Sequence, residues 1–276
     1  MNEIDLKELQ KYQLQMLKDV DYICRKNNID YFLTWGSALG AIRHGGFIPW
    51  DDDIDISMTW ENYKKFESIA QKELGEKYFY QSQETDKYCF TTWNKVRINN
   101  TTSMEKNLKH IKCHYGICMD VFPLIGVPNS RFRKFVQKIQ ILIYRIFKYE
   151  RYLTNRNPKG NILFKVFYGI FPKKFKVYLT NKLIKSITKY DMNKCDYWVE
   201  FLSGNYNAMM FEKDFFGLGT KVKFEDLEVV IPENYDSYLK HAYGDYMKLP
   251  KEEDRVGHGD AIIDFNKSYE YYWNDN

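Results

Sequence analysis

The sequence predicts an α+β or α/β core of about 130 residues with helical additions, because helical and strand-like apolar patterns are mixed along the chain. Its 276 residues are enough for one large domain or two small ones. Hydrophobic residues make up 44% and charged residues 28%, which is ordinary for a globular protein and argues against intrinsic disorder. We find no internal repeat and no low-complexity linker.

The N-terminal segment has apolar residues at helical spacing, which are Leu6, Leu9, Met16, Leu17, Val20, Ile23 and Cys24. Asp5 is positioned to cap this helix, with Glu8 three residues later as in a capping box. The pair at 27–28 is two asparagines and ends the helix. The apolar run 31–35 that follows is typical of a strand. We then expect a short helix over residues 38–44.

An acidic segment follows this short helix. Gly45 and Gly46 open a loop that runs through Pro49, and residues 53–58 then alternate between polar and apolar, as in a strand. Thr59 is expected to cap the next helix, which ends at Gly75. The buried face of that helix is predicted to contain Tyr63, Phe66, Ile69, Ala70 and Leu74.

The rest of the chain is predicted more coarsely. Strand candidates are residues 78–81, 89–98, 116–121, 221–224 and 229–231. The basic, apolar region 131–190 is mostly helical by pattern, and another helix is expected over 235–243. We therefore expect one domain with a core at about 30–125, a helical insertion at about 131–190 and a C-terminal part at about 195–276.

Composition excludes several classes of protein. The net charge of +4 is too mild for a nucleic-acid binder, so no nucleic-acid partner is expected. The five scattered cysteines indicate a reducing compartment rather than a disulfide framework. Cys113, His114 and Cys118 are close in sequence but lack a second ligand pair for structural zinc. With no apolar signal core or long apolar run, a cytoplasmic protein is expected.

Four carboxylates at Asp51, Asp52, Asp53 and Asp55 are the strongest chemical signal in the sequence. Such a cluster repels itself unless water or cations neutralise it. In a strand, Asp53 and Asp55 would share one face about 7 Å apart and could converge on a hard divalent cation. An acidic solvated turn is the alternative, although the cluster merges into an apolar strand.

Gly36 and Ser37 form the second signal, because they stand between a predicted strand and a predicted helix. A turn of small residues at a helix N-terminus exposes backbone N–H groups that bind phosphate. Such turns are common, and the interpretation gains weight only from the Asp-x-Asp strand that follows.

The stretch GSALGAIRHGGFIPWDDDIDI, from Gly36 to Ile56, resembles the LicD family, whose members have a nucleotidyltransferase-type fold. The resemblance continues in KVRINNTT, MDVFPL, FEDLEVVIPENYDSYL and YGDYMKLP, and so spans about residues 30–258 apart from the helical region 131–190. It implies an α+β fold with a nucleotidyltransferase-type mixed sheet flanked by helices, a helical insertion and a C-terminal extension.

The resemblance also implies roles for individual residues. Gly36 and Ser37 match the family's Gly-Ser pair before a helix, and Asp53 and Asp55 match two acids on the next strand. Asp120 fits a third acid on a neighbouring strand, although a polar side chain at a strand end is the alternative. These three acids would hold Mg²⁺ or Mn²⁺, and Asp120 could also accept a proton.

Basic residues are then expected to bind phosphate. Arg43 and His44 follow the Gly-Ser helix, and Lys95 and Arg97 alternate on one strand and share a face. A solvent-exposed face would explain the latter pair equally well. His258, in RVGHGD, resembles a family position near the C-terminus.

The family transfers phosphocholine from CDP-choline, or ribitol phosphate from CDP-ribitol, to surface glycans. The resemblance therefore implies a phosphotransferase that uses a CDP-alcohol, with CDP-choline favoured. Its acceptor would be a hydroxyl of a cell-surface polysaccharide, teichoic acid or lipopolysaccharide precursor, in some cases lipid-linked. A nucleotidyltransferase that activates a sugar or alcohol phosphate with an NTP is the alternative enzyme. A non-catalytic binder of phosphorylated glycans is the alternative of another class.

The helical region also suggests a peripheral membrane contact at the inner face of the cytoplasmic membrane. Residues 135–151 and 162–179 mix large apolar and basic side chains at helical spacing, as in helices that lie in a membrane interface. A helical pair that packs on the core is the alternative.

Overall fold

The computed structural model of the protein describes residues 3–150, 162–257 and 261–273. Within these ranges the strands are β1 (Phe32–Leu33), β2 (Asp55–Thr59), β3 (Tyr78–Gln81), β4 (Asn94–Ile98), β5 (Thr102–Glu105), β6 (Cys118–Val127), β7 (Tyr197–Glu200), β8 (Met210–Glu212), β9 (Thr220–Phe224), β10 (Leu227–Ile231) and β11 (Ala261–Asp264). The α-helices are α1 (Glu3–Lys26), α2 (Trp35–His44), α3 (Trp60–Leu74), α4 (Arg131–Lys148), α5 (Ile162–Gly169), α6 (Lys173–Ile187), α7 (Lys213–Phe216) and α8 (Tyr235–Tyr243).

A mixed sheet in the order β1-β2-β6-β4-β3 forms the centre of the fold, which confirms the predicted α+β class. The long strand β6 lies in the middle of this sheet and pairs with β2, β4 and β7. β6 pairs parallel with β2 along residues 120–124 and antiparallel with β4 along residues 118–121. Its second half pairs antiparallel with β7, which in turn pairs with β8. β6 therefore connects the acidic strand β2, the basic strand β4 and the late strand β7.

The main core lies between this sheet and the helices α1, α2 and α3. The apolar residues predicted on α1 are buried from Leu9 to Cys24, and Leu6 packs partly buried against them. Ile54 and Ile56 are fully buried beside the acidic residues, as the alternation predicted. Two small antiparallel pairs, β9 with β10 and β5 with β11, complete the sheet structure.

The helical region 131–190 builds a second, smaller core. α4 packs on α6, and both cover the second half of β6 and strand β7. The buried amide of Gln137 on α4 donates to Gly126 O and Ile187 O, each at 2.9 Å. Tyr206 donates its hydroxyl to Gln137 Oε1 at 3.1 Å, so this buried amide is fully engaged. None of the helices described is long and apolar enough to cross a membrane.

Several element predictions are confirmed, and others shift. The helix over 235–243, the strand over 78–81 and the Thr59 cap, whose hydroxyl accepts from Asn62 N at 3.5 Å, agree with the sequence interpretation. The predicted strand 53–58 begins only at Asp55, and the predicted strand 89–98 begins only at Asn94. The predicted break at Gly36 and Ser37 is wrong, because both lie in the first turn of α2.

Four strands were not predicted, namely β5, β7, β8 and β11. Each is three or four residues long and mixes polar with apolar side chains. Such strands form because a partner strand supplies the hydrogen bonds, and a local pattern does not report that partner.

Candidate active site

A cleft with a volume of about 500 Å³ opens near the first residues of β2 and β6. Its walls bring together the three acids that the sequence singled out, Asp53, Asp55 and Asp120. Lys95 and Arg97 of β4 line the same cleft. Residues far apart in the chain thus meet at one place, as a shared site requires.

The loop before β2 is braced by α1. Gln10 Nε2 donates to Asp51 O at 2.8 Å, and Gln13 Nε2 donates to Asp52 O at 2.8 Å. Gln13 is buried, and among the described residues its Oε1 has no hydrogen-bond partner. The N-terminal helix therefore fixes the backbone that leads into Asp53.

Asp55 and Asp120 are register partners in the parallel pair of β2 and β6. Asp120 N donates to Ile54 O at 2.8 Å, which locks this register. Partner residues in adjacent strands point to the same face of the sheet, so the two carboxylates lie side by side over the cleft.

The electrostatic environment of Asp55 is strongly anionic. Burial raises the pKa of Asp55 well above its ordinary value, and Asp53, Asp120, Asp51 and Glu200 raise that pKa further. A cation bound beside Asp55 would neutralise this negative charge and would therefore favour the ionised form of the Asp55 carboxylate.

Lys95 supplies the nearest positive charge. Its Nζ donates to Asp120 Oδ1 in an ion pair whose two side chains are 13% and 12% exposed. Burial alone would lower the pKa of Lys95, but the adjacent Asp120 outweighs burial and raises that pKa. Asp120 Oδ2 also accepts from Trp93 Nε1 at 2.8 Å, so both carboxylate oxygens of Asp120 are engaged.

Arg97, two residues along β4, is buried and held from two sides. Its Nη1 donates to Gly116 O at 2.8 Å, and its Nε donates to Gln81 Oε1. Arg97 is 5% exposed, so the solvent-exposed face considered for this strand is wrong. Its guanidinium is prepositioned at the wall of the cleft.

Gly36 and Ser37 support the acids through direct contacts. Ser37 Oγ accepts a hydrogen bond from Asp55 N at 3.0 Å. A Cβ on Gly36 would lie 2.7 Å from Asp51 Oδ2, so only glycine lets the Asp51 carboxylate pack there. An acidic side chain therefore occupies the start of α2, where the sequence suggested a phosphate.

Glu200, at the end of β7, lines the cleft and was missed by the sequence interpretation. Its Oε2 accepts from Trp35 Nε1 at 2.8 Å, and its Oε1 accepts from Ser203 Oγ. Glu200 is 1% exposed, and burial raises its pKa to about 7. The sequence did contain a signal, because Glu200 is the single charged residue in the apolar run 198–202, just as Asp120 is in its own apolar run.

Trp35 connects Glu200 to the start of α2. Its φ of +51° is unusual for a bulky residue and costs about 1–3 kcal/mol. The Tyr238 hydroxyl, which accepts from Trp35 N at 3.1 Å, and the bond to Glu200 hold this conformation. Strained backbone of this kind persists where the surrounding structure fixes a side chain.

Arg43 and His44 lie away from the cleft. Arg43 Nη1 donates to Tyr246 O at 2.8 Å, and its guanidinium lies 5.9 Å from the Trp50 ring centroid in a separate groove. His44 is exposed and contacts Trp50 edge-on. The structure does not bring these two residues to the acids, and their role in phosphate binding stays a prediction.

Cys118 also lines the cleft, with its Sγ 3.9 Å from Lys95 Nζ, whereas His114 does not line it. His114 is buried, which lowers its pKa to about 3, and its ring nitrogens contact Gly116 N and Asn99 Oδ1. His114 is therefore a neutral structural residue. His258 lies outside the described residues.

The donor set suits a hard divalent cation, although its geometry is not preassembled. Asp53, Asp55 and Asp120 offer carboxylate oxygens, which Mg²⁺ and Mn²⁺ prefer. Across the ranges described, no three His, Cys, Asp or Glu side chains are already close enough to hold an ion. For Asp120 to become a ligand, it must exchange part of its contact with Lys95 for the metal.

Comparison with known proteins places these residues in a wider group. A family model described as "LicD/FKTN/FKRP, nucleotidyltransferase domain" matches residues 28–123, which contain every predicted metal ligand. The Haemophilus influenzae protein named lipopolysaccharide cholinephosphotransferase LicD is 30% identical over 273 residues, with 94% of this chain and 97% of that protein covered.

Shorter matches concern other organisms. Human ribitol 5-phosphate transferase FKRP is 43% identical over 47 residues, which are 17% of this chain and 10% of that protein. An uncharacterized protein of Rickettsia typhi is 45% identical over 71 residues, covering 25% of this chain and 22% of that protein.

Proposed function

Because this chain belongs to the LicD family and is a phosphotransferase, we propose that it transfers a phospho-alcohol group from a CDP-linked donor to a glycan hydroxyl. Phosphocholine is the favoured group. The acceptor is a lipopolysaccharide or teichoic acid precursor or another cell-surface glycan. The observation that carries the proposal is the convergence of Asp53, Asp55 and Asp120 with Lys95 and Arg97 in one cleft.

Asp53, Asp55 and Asp120 would hold Mg²⁺ or Mn²⁺ in this proposal. The ion supplies charge neutralisation for the donor's pyrophosphate and for the leaving CMP. Burial and then the neighbouring carboxylates of Asp53 and Asp120 raise the pKa of Asp55, and a bound cation would offset the repulsion among these three acids.

Lys95 and Arg97 then bind the phosphoryl oxygens. Both lie on β4 and face the cleft, and Arg97 is held rigid by Gly116 and Gln81. Prepositioned cations stabilise a transferring phosphoryl group because they need no reorganisation during the reaction.

The reaction follows from the donor's chemistry. The acceptor oxygen attacks the phosphorus that carries the alcohol, the bond from that phosphorus to the bridging oxygen of CMP breaks, and CMP leaves. The proton of the acceptor hydroxyl passes to a carboxylate of the cleft. Asp120 was the predicted base, but Lys95 and Trp93 engage both of its oxygens. Glu200 is a second carboxylate in the same cleft: burial raises its pKa to about 7, and Trp35 and Ser203 likewise engage both of its oxygens.

The products distinguish this reaction from the alternative. The purified protein should release CMP from CDP-choline or CDP-ribitol in the presence of Mg²⁺ or Mn²⁺, with stimulation by acceptor glycan and loss of turnover in EDTA. A nucleotidyltransferase would instead release pyrophosphate from CTP and a phosphorylated alcohol. Pyrophosphate without CMP from any CDP-alcohol would overturn the proposal, and glycan binding without either product would favour a non-catalytic binder.

A further inference from the structure

Charge is distributed very unevenly along this chain. Residues 121–190 contain 16 of the 41 Lys and Arg residues but only one of the 37 Asp and Glu residues, Glu150. This segment thus has a net charge of +15, and the rest of the chain has −11, although the total is only +4. The mild overall charge hides a strongly basic region.

An apolar stripe on α4 faces outward in the same region. It consists of Phe132, Phe135, Ile139, Leu142 and Ile146, which repeat every three or four residues and so share one face. Phe132 is 75% exposed, Phe135 61% and Leu142 59%. The opposite face of α4, with Gln137, Ile141 and Tyr144, is buried against the rest of the protein. The stripe therefore faces solvent and does not contribute to the core of the described fold.

The two following helices extend this exposed apolar surface. α5 exposes Ile162, Leu163, Val166 and Phe167, and α6 exposes Phe175, Val177 and Tyr178. Phe171 contacts all three helices, since its ring centroid lies 5.3 Å from that of Phe147 on α4, 5.5 Å from that of Phe167 on α5 and 5.7 Å from that of Phe175 on α6. An exposed apolar surface of this extent is typical of an interaction site.

We propose that α4, α5 and α6 form a membrane-docking surface, which lies in the interface of an anionic lipid bilayer. Exposed side chains such as Phe135 and Leu142 would enter the boundary between headgroups and acyl chains. Lysines and arginines around them would contact anionic headgroups. The combination of many exposed apolar side chains with a charge of +15 is what such a bilayer complements.

Charge argues against the other occupants of this surface. In a dimer that uses this surface on both copies, two basic segments would face each other and repel. Each segment contains one acidic residue, Glu150, to offset that repulsion. A nucleic acid would match the charge, and its bases stack on exposed phenylalanine rings, but neither bases nor phosphates would bury the exposed isoleucines, leucines and valines of this surface. A bilayer with anionic headgroups satisfies both features at once.

Co-sedimentation with vesicles tests this proposal on the full chain, independently of its enzymatic activity. Vesicles of phosphatidylcholine with 30% phosphatidylglycerol should bind the protein at least about tenfold more tightly than pure phosphatidylcholine at low salt. The double variant Phe135→Ser/Leu142→Ser should bind about tenfold more weakly or worse, because it removes two inserted side chains. Arg133→Gln/Lys138→Gln should lose about fivefold for each charge removed.

A matched control is the double variant Tyr22→Ser/Leu218→Ser, which removes two large side chains elsewhere that are even more exposed than Phe135 and Leu142. It should bind vesicles like the original protein. Thermal unfolding shows that all variants are folded. The proposal fails if anionic vesicles do not bind, or if the control weakens binding as much as the α4 variant. A dimer in sedimentation equilibrium that Phe135→Ser/Leu142→Ser dissociates would assign the surface to a second copy instead.

Discussion

Asp55 on β2 and Asp120 on β6 are direct register partners in a parallel pair, and the hydrogen bond from Asp120 N to Ile54 O fixes their alignment. Two acids separated by 65 positions in the sequence numbering are thus held on one face of the central sheet. Lys95 of β4, on the other side of β6, is the register partner of Asp120. Three adjacent strands therefore present two acids and a base in one row.

Asp55→Asn should reduce turnover at least about 100-fold while the protein stays folded. The pKa of Asp55 is raised, so its charged form opposes folding, and stability is lost as pH rises above the ordinary carboxyl range. Asparagine does not ionise. In EDTA, the melting temperature of the variant relative to that of the original protein should therefore increase as pH rises above about 4, as differential scanning fluorimetry would show.

Asp226→Asn is the matched control for Asp55→Asn, because Asp226 is exposed and pairs with Lys18 on the surface. It should leave turnover unchanged and give no such pH-dependent gain. Undiminished turnover of Asp55→Asn at saturating Mg²⁺ would contradict the proposed metal site.

Lys95→Met should reveal the cation site without an activity assay. The substitution leaves Asp120 buried without its ammonium partner, which costs about 3–5 kcal/mol of the free energy of unfolding. If Mg²⁺ can take the place of the ammonium, the ion should raise the melting temperature of the variant more than that of the original protein. Chelation with EDTA should abolish the difference.

The control for Lys95→Met is Lys77→Met, which removes an exposed ion pair with Asp19. An exposed pair contributes at most about 1 kcal/mol, and Mg²⁺ should not compensate for its loss. Equal responses of all three proteins to Mg²⁺ would mean that the ion does not reach Asp120.

Local patterns were sufficient for part of this site and insufficient for the rest. Buried Ile54 and Ile56 on either side of Asp55 follow from strand alternation, which has a period of two. The isolated Asp120 in an apolar run was likewise visible in sequence. The Lys95–Asp120 ion pair was not, because it depends on which strands become neighbours and in which register.

Proximity in sequence was misleading for Arg43. It lies six residues after Ser37 on α2, and a rise of 1.5 Å per residue separates the two by about 9 Å along the helix. Ser37 therefore contacts Asp55, whereas Arg43 contacts Tyr246 at the other end. Glu200 is the opposite case, since it is distant from the acids in sequence but close to them in the fold. Strand β7, which carries Glu200, follows the helical insertion in the chain and pairs with β6.

Ser37→Ala should lower activity through the position of Asp55. The Ser37 hydroxyl accepts from Asp55 N, and its removal leaves a backbone donor without that acceptor, at a cost of about 1–3 kcal/mol. Urea unfolding measures this cost, and the affinity for Mg²⁺ should fall with it. Ser57→Ala is the control, since Ser57 is equally buried but pairs with Thr34 instead. For Ser57→Ala we expect a similar loss of stability and an unchanged affinity for Mg²⁺. If Ser37→Ala also leaves the affinity for Mg²⁺ unchanged, Ser37 does not position Asp55 for metal binding.

Glu200→Gln separates a proton acceptor from a structural residue. Burial raises the pKa of Glu200 from 4.5 to about 7, so the protonated form is favoured by folding. The stability that this provides, up to about 3 kcal/mol, is complete below pH 4.5 and is lost as pH rises to about 7. Glutamine retains a carbonyl acceptor for Trp35 or Ser203 but does not ionise. The unfolding free energy of the variant should therefore rise relative to the original protein over this interval and level off above it.

Activity distinguishes the two roles of Glu200 further. As proton acceptor, Glu200 must be ionised, so kcat/KM of the original protein should rise with pH to a plateau above about pH 7. Glu200→Gln should lower kcat about 10²–10⁴-fold and abolish that rise, with little change in the KM for the CDP-alcohol. The exposed Glu212 on β8 provides the control Glu212→Gln, which should preserve both kcat and the pH profile. A Glu200→Gln variant that keeps the pH profile of the original protein would assign Glu200 only to the support of Trp35, and Asp120 would then be the remaining acceptor in the cleft.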